Sequence, residues 1–162
     1  MKLSIVYHSE TGNTETMAAL VAEGAGTIDG VEIKTMTVEE PDLAWLDESR
    51  AVIFGCPTYW GGMSWQMKRF FDTTGMKLNG KLAGFFATMN WPSGGGSEMT
   101  ILTMTTAALV YGMLAYSGGF ANGTPPVHFG AVAQKAVISD FDRDRAIKLG
   151  ENMAKKGREL FG

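Results

Sequence analysis

The chain has 162 residues, a net charge of −3, and 45% apolar against 19% charged residues. At ~150 residues per domain, 1–162 is read as a single domain, able to bury roughly 70% of its unfolded surface. That balance excludes a disordered tail, a collagen and a charged coiled coil. It offers nucleic acid no basic footprint. One cysteine, Cys56, excludes a disulfide framework and a cysteine zinc site, and suits a reducing compartment.

Residues 2–7 form a short apolar run rich in β-formers, a buried first strand. The spacing of Met17, Leu20, Val21 and Gly24 predicts a helix over 14–25, stopped by the glycines at 24–30. Residues 31–38 alternate, with Val31, Ile33 and Met36 inward, as in a strand covered on one side. Pro41 fits the first turn of a short helix over 41–46. Residues 51–55 are a second buried strand. Ser64 caps a helix to about Thr74 with Met67, Phe70 and Phe71 inward. Residues 82–89 are a third central strand. Ser97 caps the next helix, with Ile101, Thr105, Ala108 and Leu109 on one side. Residues 113–116 are a short strand, and 118–130 a long Gly/Pro loop. Asp140 or Asp142 opens a last helix with Ile147, Met153, Leu160 and Phe161 as apolar members.

Strands alternating with helices mean a parallel sheet covered on both faces. Ligands of such sheets sit at the carboxyl ends of the strands. No stretch reaches the ~18–20 apolar residues of a bilayer span, and the N-terminus reads as a strand rather than a signal peptide. A cytoplasmic protein without membrane contact is expected. His8 and His128 have no ligand partner at metal-binding spacing, so no metal site is expected.

Three loops at those strand ends carry chemistry. Ser9-Glu10-Thr11-Gly12-Asn13-Thr14 runs straight into a helix N-terminus, where backbone N–H groups and the helix dipole favour an anion. Helix capping and a phosphate grip read equally well there. The loop holds no Lys or Arg, and Glu10 has to point away from any anion. The nucleoside-triphosphate signature G-x-x-x-x-G-K-[ST] and the dinucleotide signature G-x-G-x-x-G are both missing from this turn. The loop Cys56-Pro57-Thr58-Tyr59-Trp60-Gly61-Gly62-Met63 sets two adjacent aromatics beside two glycines, which suits stacking on a flat ring with close backbone approach. The loop Thr88-Met89-Asn90-Trp91-Pro92-Ser93-Gly94-Gly95-Gly96 adds a tryptophan and three glycines. Phosphate grips on one side and aromatic walls on the other suit a mononucleotide with a large flat ring.

The first loop resembles the flavodoxin phosphate loop, S/T-x-T-G-x-T. Gly55-x-Pro57-Thr58-Tyr59-x-Gly61-x-Met63-Ser64-x-Gln66-Met67-Lys68-x-Phe70-x-Asp72-x-Thr74-Gly75 is similar to the flavodoxin-like NAD(P)H:quinone oxidoreductases of the WrbA type. So are Gly80-Lys81-Leu82-Ala83, Gly95-Gly96-x-Glu98-x-Thr100-Ile101 and Tyr111-Gly112-Met113. The resemblance covers essentially the whole chain.

It implies a flavodoxin-like three-layer α/β/α fold with a five-stranded parallel sheet of order 2-1-3-4-5 that binds FMN. Ser9, Thr11, Gly12, Asn13 and Thr14 would hold the phosphate, with Glu10 in the same loop. Pro57, Thr58, Tyr59, Trp60, Gly61 and Gly62 would line the isoalloxazine from one side, and Thr88, Met89, Asn90, Trp91, Gly94, Gly95 and Gly96 from the other. Tyr111 stands where the quinone reductases carry a His near the ring. The chain lacks the longer segments those enzymes insert, and it is less acidic than most electron-carrier flavodoxins. Two functions follow from the resemblance. One is an electron carrier between redox protein partners, with the peptide near Gly61-Gly62 rotating toward the flavin N5. The other is an FMN-dependent enzyme passing electrons from NAD(P)H to a quinone. A homodimer or homotetramer is consistent with either. A binding module that has lost its cofactor is the third class, and the intact Ser/Thr loop speaks against it.

Overall fold

The computed structural model describes residues 1–91, 95–135 and 138–162. Its elements are β1 (Lys2–Tyr7), α1 (Asn13–Ala25), β2 (Glu32–Thr37), α2 (Leu43–Glu48), β3 (Ala51–Tyr59), β4 (Gly62–Met63), α3 (Trp65–Thr74), a 3₁₀ turn (Gly75–Leu78), β5 (Leu82–Met89), α4 (Ser97–Val110), β6 (Leu114–Ala115), β7 (Ala131–Gln134) and α5 (Asp140–Phe161). The sheet runs β2-β1-β3-β5, with β6 and β7 both on the outer side of β5. All these pairings are parallel, as the crossover helices require.

The central strands read as unbroken apolar runs because each face is covered. Leu3, Ile5, Ile53 and Phe86 pack under α1 and α5, against Met17, Val21, Leu149 and Met153. Val6, Val52, Phe54 and Phe85 point the other way, against Phe71 of α3 and Ile101 and Met104 of α4. Phe54 sits 4.8 Å from Phe71, ring to ring. Burying each such ring stabilises the fold by roughly 1.5–3 kcal/mol.

Several elements differ from their sequence reading. β2 is covered on both sides: Val31 and Ile33 meet the α1/α5 layer, whereas Met36 and Val38 meet the opposite one. β3 extends to Tyr59 because Cys56 and Pro57 stay in register with Ala87 and Thr88. α2 starts at Leu43, with the Asp42 carboxylate accepting the Trp45 N–H at 3.0 Å. Gly96, not Ser97, caps α4, in the left-handed conformation and with no side-chain cap. The buried face of α4 is Thr100, Ile101, Met104 and Ala108, so Leu109 is exposed. In α5 the cap is Ser139, and Leu160 faces outward.

The fifth sheet position is split. β6 pairs with the start of β5 (Leu82, Ala83) and β7 with its end (Phe86–Met89). Residues 116–130 cross the gap between them. Because β7 ends beside Met89, it delivers Lys135 to the same sheet edge as the loop after β5.

Candidate functional site

The β1–α1 loop leaves the sheet at His8, whose N–H still bonds the Gly55 carbonyl at 3.0 Å. Gly12 then adopts φ 84°, a left-handed turn that glycine takes without strain, and caps α1 with no side-chain bond. Ser9 Oγ accepts the N–H groups of Gly12 (3.2 Å) and Glu15 (3.3 Å). Asn13 Nδ2 donates to Thr11 Oγ1 at 2.7 Å. The buried Thr14 hydroxyl shares a 2.9 Å hydrogen bond with Thr88 of β5, which ties the loop to the neighbouring strand end. Three hydroxyls therefore converge at the positive end of a 13-residue helix, a site built for an anion.

Glu10 turns its carboxylate toward α3. Its Oε1 accepts from Gln66 Nε2 at 2.9 Å and lies 3.4 Å from His8 Nε2. The other nitrogen of this buried imidazole, Nδ1, is 2.6 Å from Glu39.

The loop after β3 closes as a hairpin. Tyr59 pairs with Gly62, and the two residues between them, Trp60 (φ 52°) and Gly61 (φ 77°), both have positive φ. That is the two-residue turn whose twist matches a β-ribbon, and it normally takes Asn or Gly at its first position. Trp60 instead holds a full aromatic side chain in a disfavoured conformation, and that side chain is completely exposed. A methyl group added at Gly61 or Gly62 would meet nothing within 4 Å. Burial raises the Tyr59 phenol above its usual range, and the Glu10 charge adds to this.

Thr100 holds the hairpin to α4. Its hydroxyl lies 3.0 Å from both Thr58 Oγ1 and the Gly62 carbonyl oxygen and 3.2 Å from the Gly96 carbonyl oxygen, with one proton shared among them. Gly96 lies against Gly61, with a would-be Cβ only 3.2 Å from the Gly61 Cα. At Gly95 a Cβ would fall 1.9 Å from the Trp91 carbonyl oxygen, so this turn takes only glycine. Trp91 is largely exposed. Gly94 lies outside the described residues.

These loops enclose a pocket of about 280 Å³, lined by Ser9, Glu10, Thr11, Asn13 and Thr14 on one side, Pro57, Thr58 and Tyr59 on another, and Thr88, Met89, Asn90 and Lys135 on the third. Trp60, Gly61, Gly62, Trp91, Gly95 and Gly96 do not line it; they lie in the hairpin that continues from Tyr59 and in the turn packed on that hairpin. Tyr111 is not brought there. Fourteen residues of α4 carry it ~20 Å along the sheet, where its ring lies parallel to Phe71 at 6.4 Å. Cys56 is buried beneath the site with its thiol pushed up to about 11 by burial, which makes it a core residue rather than a nucleophile.

The sequence reading missed two residues. Lys135 lines a pocket whose first loop carries no cation. It was invisible because the strand that delivers it, Ala-Val-Ala-Gln, is short and weakly patterned. Thr100 gives no signal in the sequence, since one hydroxyl on a helix announces nothing.

The flavodoxin family profile matches residues 5–110. A flavodoxin from Clostridium saccharobutylicum is 41% identical, over 99% of this chain and 100% of its own length. The chain belongs to the flavodoxin family. A flavodoxin from Aquifex aeolicus is 33% identical over 94% of this chain and 85% of its own. Among solved structures, a flavodoxin, WrbA-like protein from Agrobacterium tumefaciens superposes with a TM-score of 0.79 at 29% identity, covering 98% of each chain. Membership makes this an electron-transfer protein that works through a flavin and exchanges electrons with redox partners. No helix among the described residues is long and apolar enough to cross a membrane.

Proposed function

We propose that residues 1–162 form one FMN-binding domain that carries electrons between protein partners in a reducing cytoplasm. The hydroxyls of Ser9, Thr11 and Thr14 and the backbone of Gly12 and Asn13 would hold the FMN phosphate, with Lys135 as a countercharge. The Thr58–Gly62 hairpin and the Thr88–Trp91 segment would hold the flat ring. When bound, FMN supplies one-electron chemistry that no side chain here offers. The chain's own residues orient the ring, keep water from its inner edge and present the Gly61–Gly62 peptide as a hydrogen-bonding group. Glycine on both sides of that peptide keeps its rotation inexpensive.

The observation that carries this reading is the convergence of three hydroxyls on the α1 N-terminus, across a pocket from the Tyr59 ring. Titrating the apoprotein with FMN and with riboflavin tests it. FMN should bind at least ~100-fold more tightly, the worth of two charge-assisted hydrogen bonds. Equal affinities would remove the phosphate role.

A second reading, an FMN-dependent NAD(P)H:quinone oxidoreductase, draws on one observation. An open trough lined by Tyr59, Trp60, Met63 and Trp65 adjoins the pocket, sharing Glu10 and Tyr59 with it. Such a trough can seat a second flat ring.

A further inference from the structure

His8 follows β1 directly, one residue before the Ser9–Thr14 loop, and is only 4% exposed. Its two ring nitrogens face two carboxylates. Nδ1 lies 2.6 Å from Oε1 of Glu39, in the segment after β2, and Nε2 lies 3.4 Å from Oε1 of Glu10, in the loop itself. Glu39 and Glu10 each have this ring as their ion-pair partner. From α3 the uncharged Gln66 donates to the same Glu10 oxygen at 2.9 Å. On the β1 side the Tyr7 phenol is turned to Glu15. Arg69 of α3 shares a cavity with Glu39 and Gln66, and Lys135 shares the cofactor pocket with Glu10.

Nε2 is buried and makes no hydrogen bond. As a bare acceptor it would set its lone pair near a carboxylate oxygen, and a buried polar atom without a partner is costly. A proton on Nε2 turns the same contact into an attraction, and a small movement of Glu10 closes it to a hydrogen bond.

The position of Glu10 matters because its side chain lines the cofactor pocket beside Ser9, Thr11 and Thr14. The loop holds no Lys or Arg to offset it. A carboxylate swinging toward the anion site would repel a phosphate there. The Glu10 side chain is 55% exposed, so solvent and salt weaken that repulsion without abolishing it.

We propose that His8 is a positioning residue for phosphate binding: protonated on both nitrogens and anchored by Glu39, it holds the Glu10 carboxylate toward α3 and out of the anion site. Histidine changes charge within the physiological pH range. The hold is therefore strong when the ring is charged and released when it is neutral. This role presupposes the FMN phosphate site proposed above.

Dissociation constants for FMN and riboflavin, measured by flavin fluorescence on the full apoprotein at pH 6 and pH 8, test it. The riboflavin-to-FMN ratio of these constants isolates phosphate recognition. Comparing variants at one pH cancels the titration of the phosphate itself. At pH 6, His8→Leu should lower the ratio at least ~10-fold, and at pH 8 by much less. In a Glu10→Gln background, His8→Leu should leave the ratio where it is at both pH values, because the charge to be restrained is gone. Glu10→Gln alone keeps the His8 ring and so guards against a His8 variant that fails to fold. It should raise the ratio at pH 8, where Glu10 is free, and little at pH 6. A purely structural role for His8 would weaken both ligands together and would not be relieved by Glu10→Gln. A wild type that binds FMN and riboflavin equally overturns the phosphate site and this role with it. A wild type that prefers FMN overturns this role alone if the His8→Leu effect is absent at pH 6, is equal at both pH values or survives in the Glu10→Gln background.

Discussion

The Ser9–Thr14 loop and the Tyr59–Gly62 hairpin face one another across the same pocket, but they are held in different ways. The loop is braced from within by Ser9 on two backbone N–H groups, and from outside by the buried Thr14–Thr88 bond. The hairpin closes on a strained, fully exposed Trp60 and two unencumbered glycines, and Thr100 is its main polar anchor. Rigid donors suit a charge that never changes, the phosphate. A loosely held backbone suits a ring whose charge and protonation change with each electron. Affinity should therefore reside in the loop, and tuning of the potential in the hairpin.

The widest separation should come from the double variant Ser9→Ala/Thr14→Val. FMN affinity should fall ~100-fold or more, at roughly 1.5 kcal/mol for each charge-assisted bond, with riboflavin binding nearly unchanged in fluorescence titrations. An equal loss for both ligands would place the defect in the fold instead. Thr100→Val strips the anchor from the hairpin. Urea unfolding of the apoprotein should show about 1–3 kcal/mol less stability, while phosphate recognition, read as the FMN-to-riboflavin ratio, persists.

Gly61→Val has room for the side chain but must adopt φ 77°, which costs roughly 1–2 kcal/mol. If that peptide rearranges as the flavin is reduced, the strain enters one redox state more than another. Spectroelectrochemistry should then show a shift of several tens of millivolts in a one-electron potential. Unchanged potentials would leave the hairpin without a tuning role. Trp60→Gly removes strain and almost no packing, so the apoprotein should gain up to about 1 kcal/mol while ring affinity declines.

The smallest effect concerns Cys56. Burial holds its thiol protonated up to about 11, whereas in the unfolded chain it ionises near its ordinary value of 9.0. The native state thus retains a proton that the unfolded state loses, and this site's stability contribution falls as pH rises from about 9 to about 11. Cys56→Ser should flatten that part of the stability profile, and the native thiol should resist alkylation at pH 8.

Much of this architecture was legible where a local signal and the fold agree. β1 and β5 appear with their exact boundaries as apolar runs, and Ser64 caps α3 with Met67, Phe70 and Phe71 buried as their spacing indicates. What escaped depends on distant partners. Ala131–Gln134 becomes a strand only because Phe86–Met89 offers an edge. Lys135 reaches the pocket only through that strand. Trp60 takes positive φ because the pairing of Tyr59 with Gly62 leaves two residues for the turn, and nothing in a Trp-Gly-Gly run shows that pairing. Tyr111 looked like a site residue by position in a motif, but helix length carries it to the other end of the sheet.

The most direct test of the carrier reading is the visible spectrum of the FMN-loaded protein under anaerobic conditions after NADH and NADPH are added in turn. The flavin bands should persist through both additions and bleach only with dithionite, as expected of a carrier that waits for a protein donor. Bleaching within seconds of adding either nucleotide would contradict that account and make the chain a nicotinamide-dependent reductase.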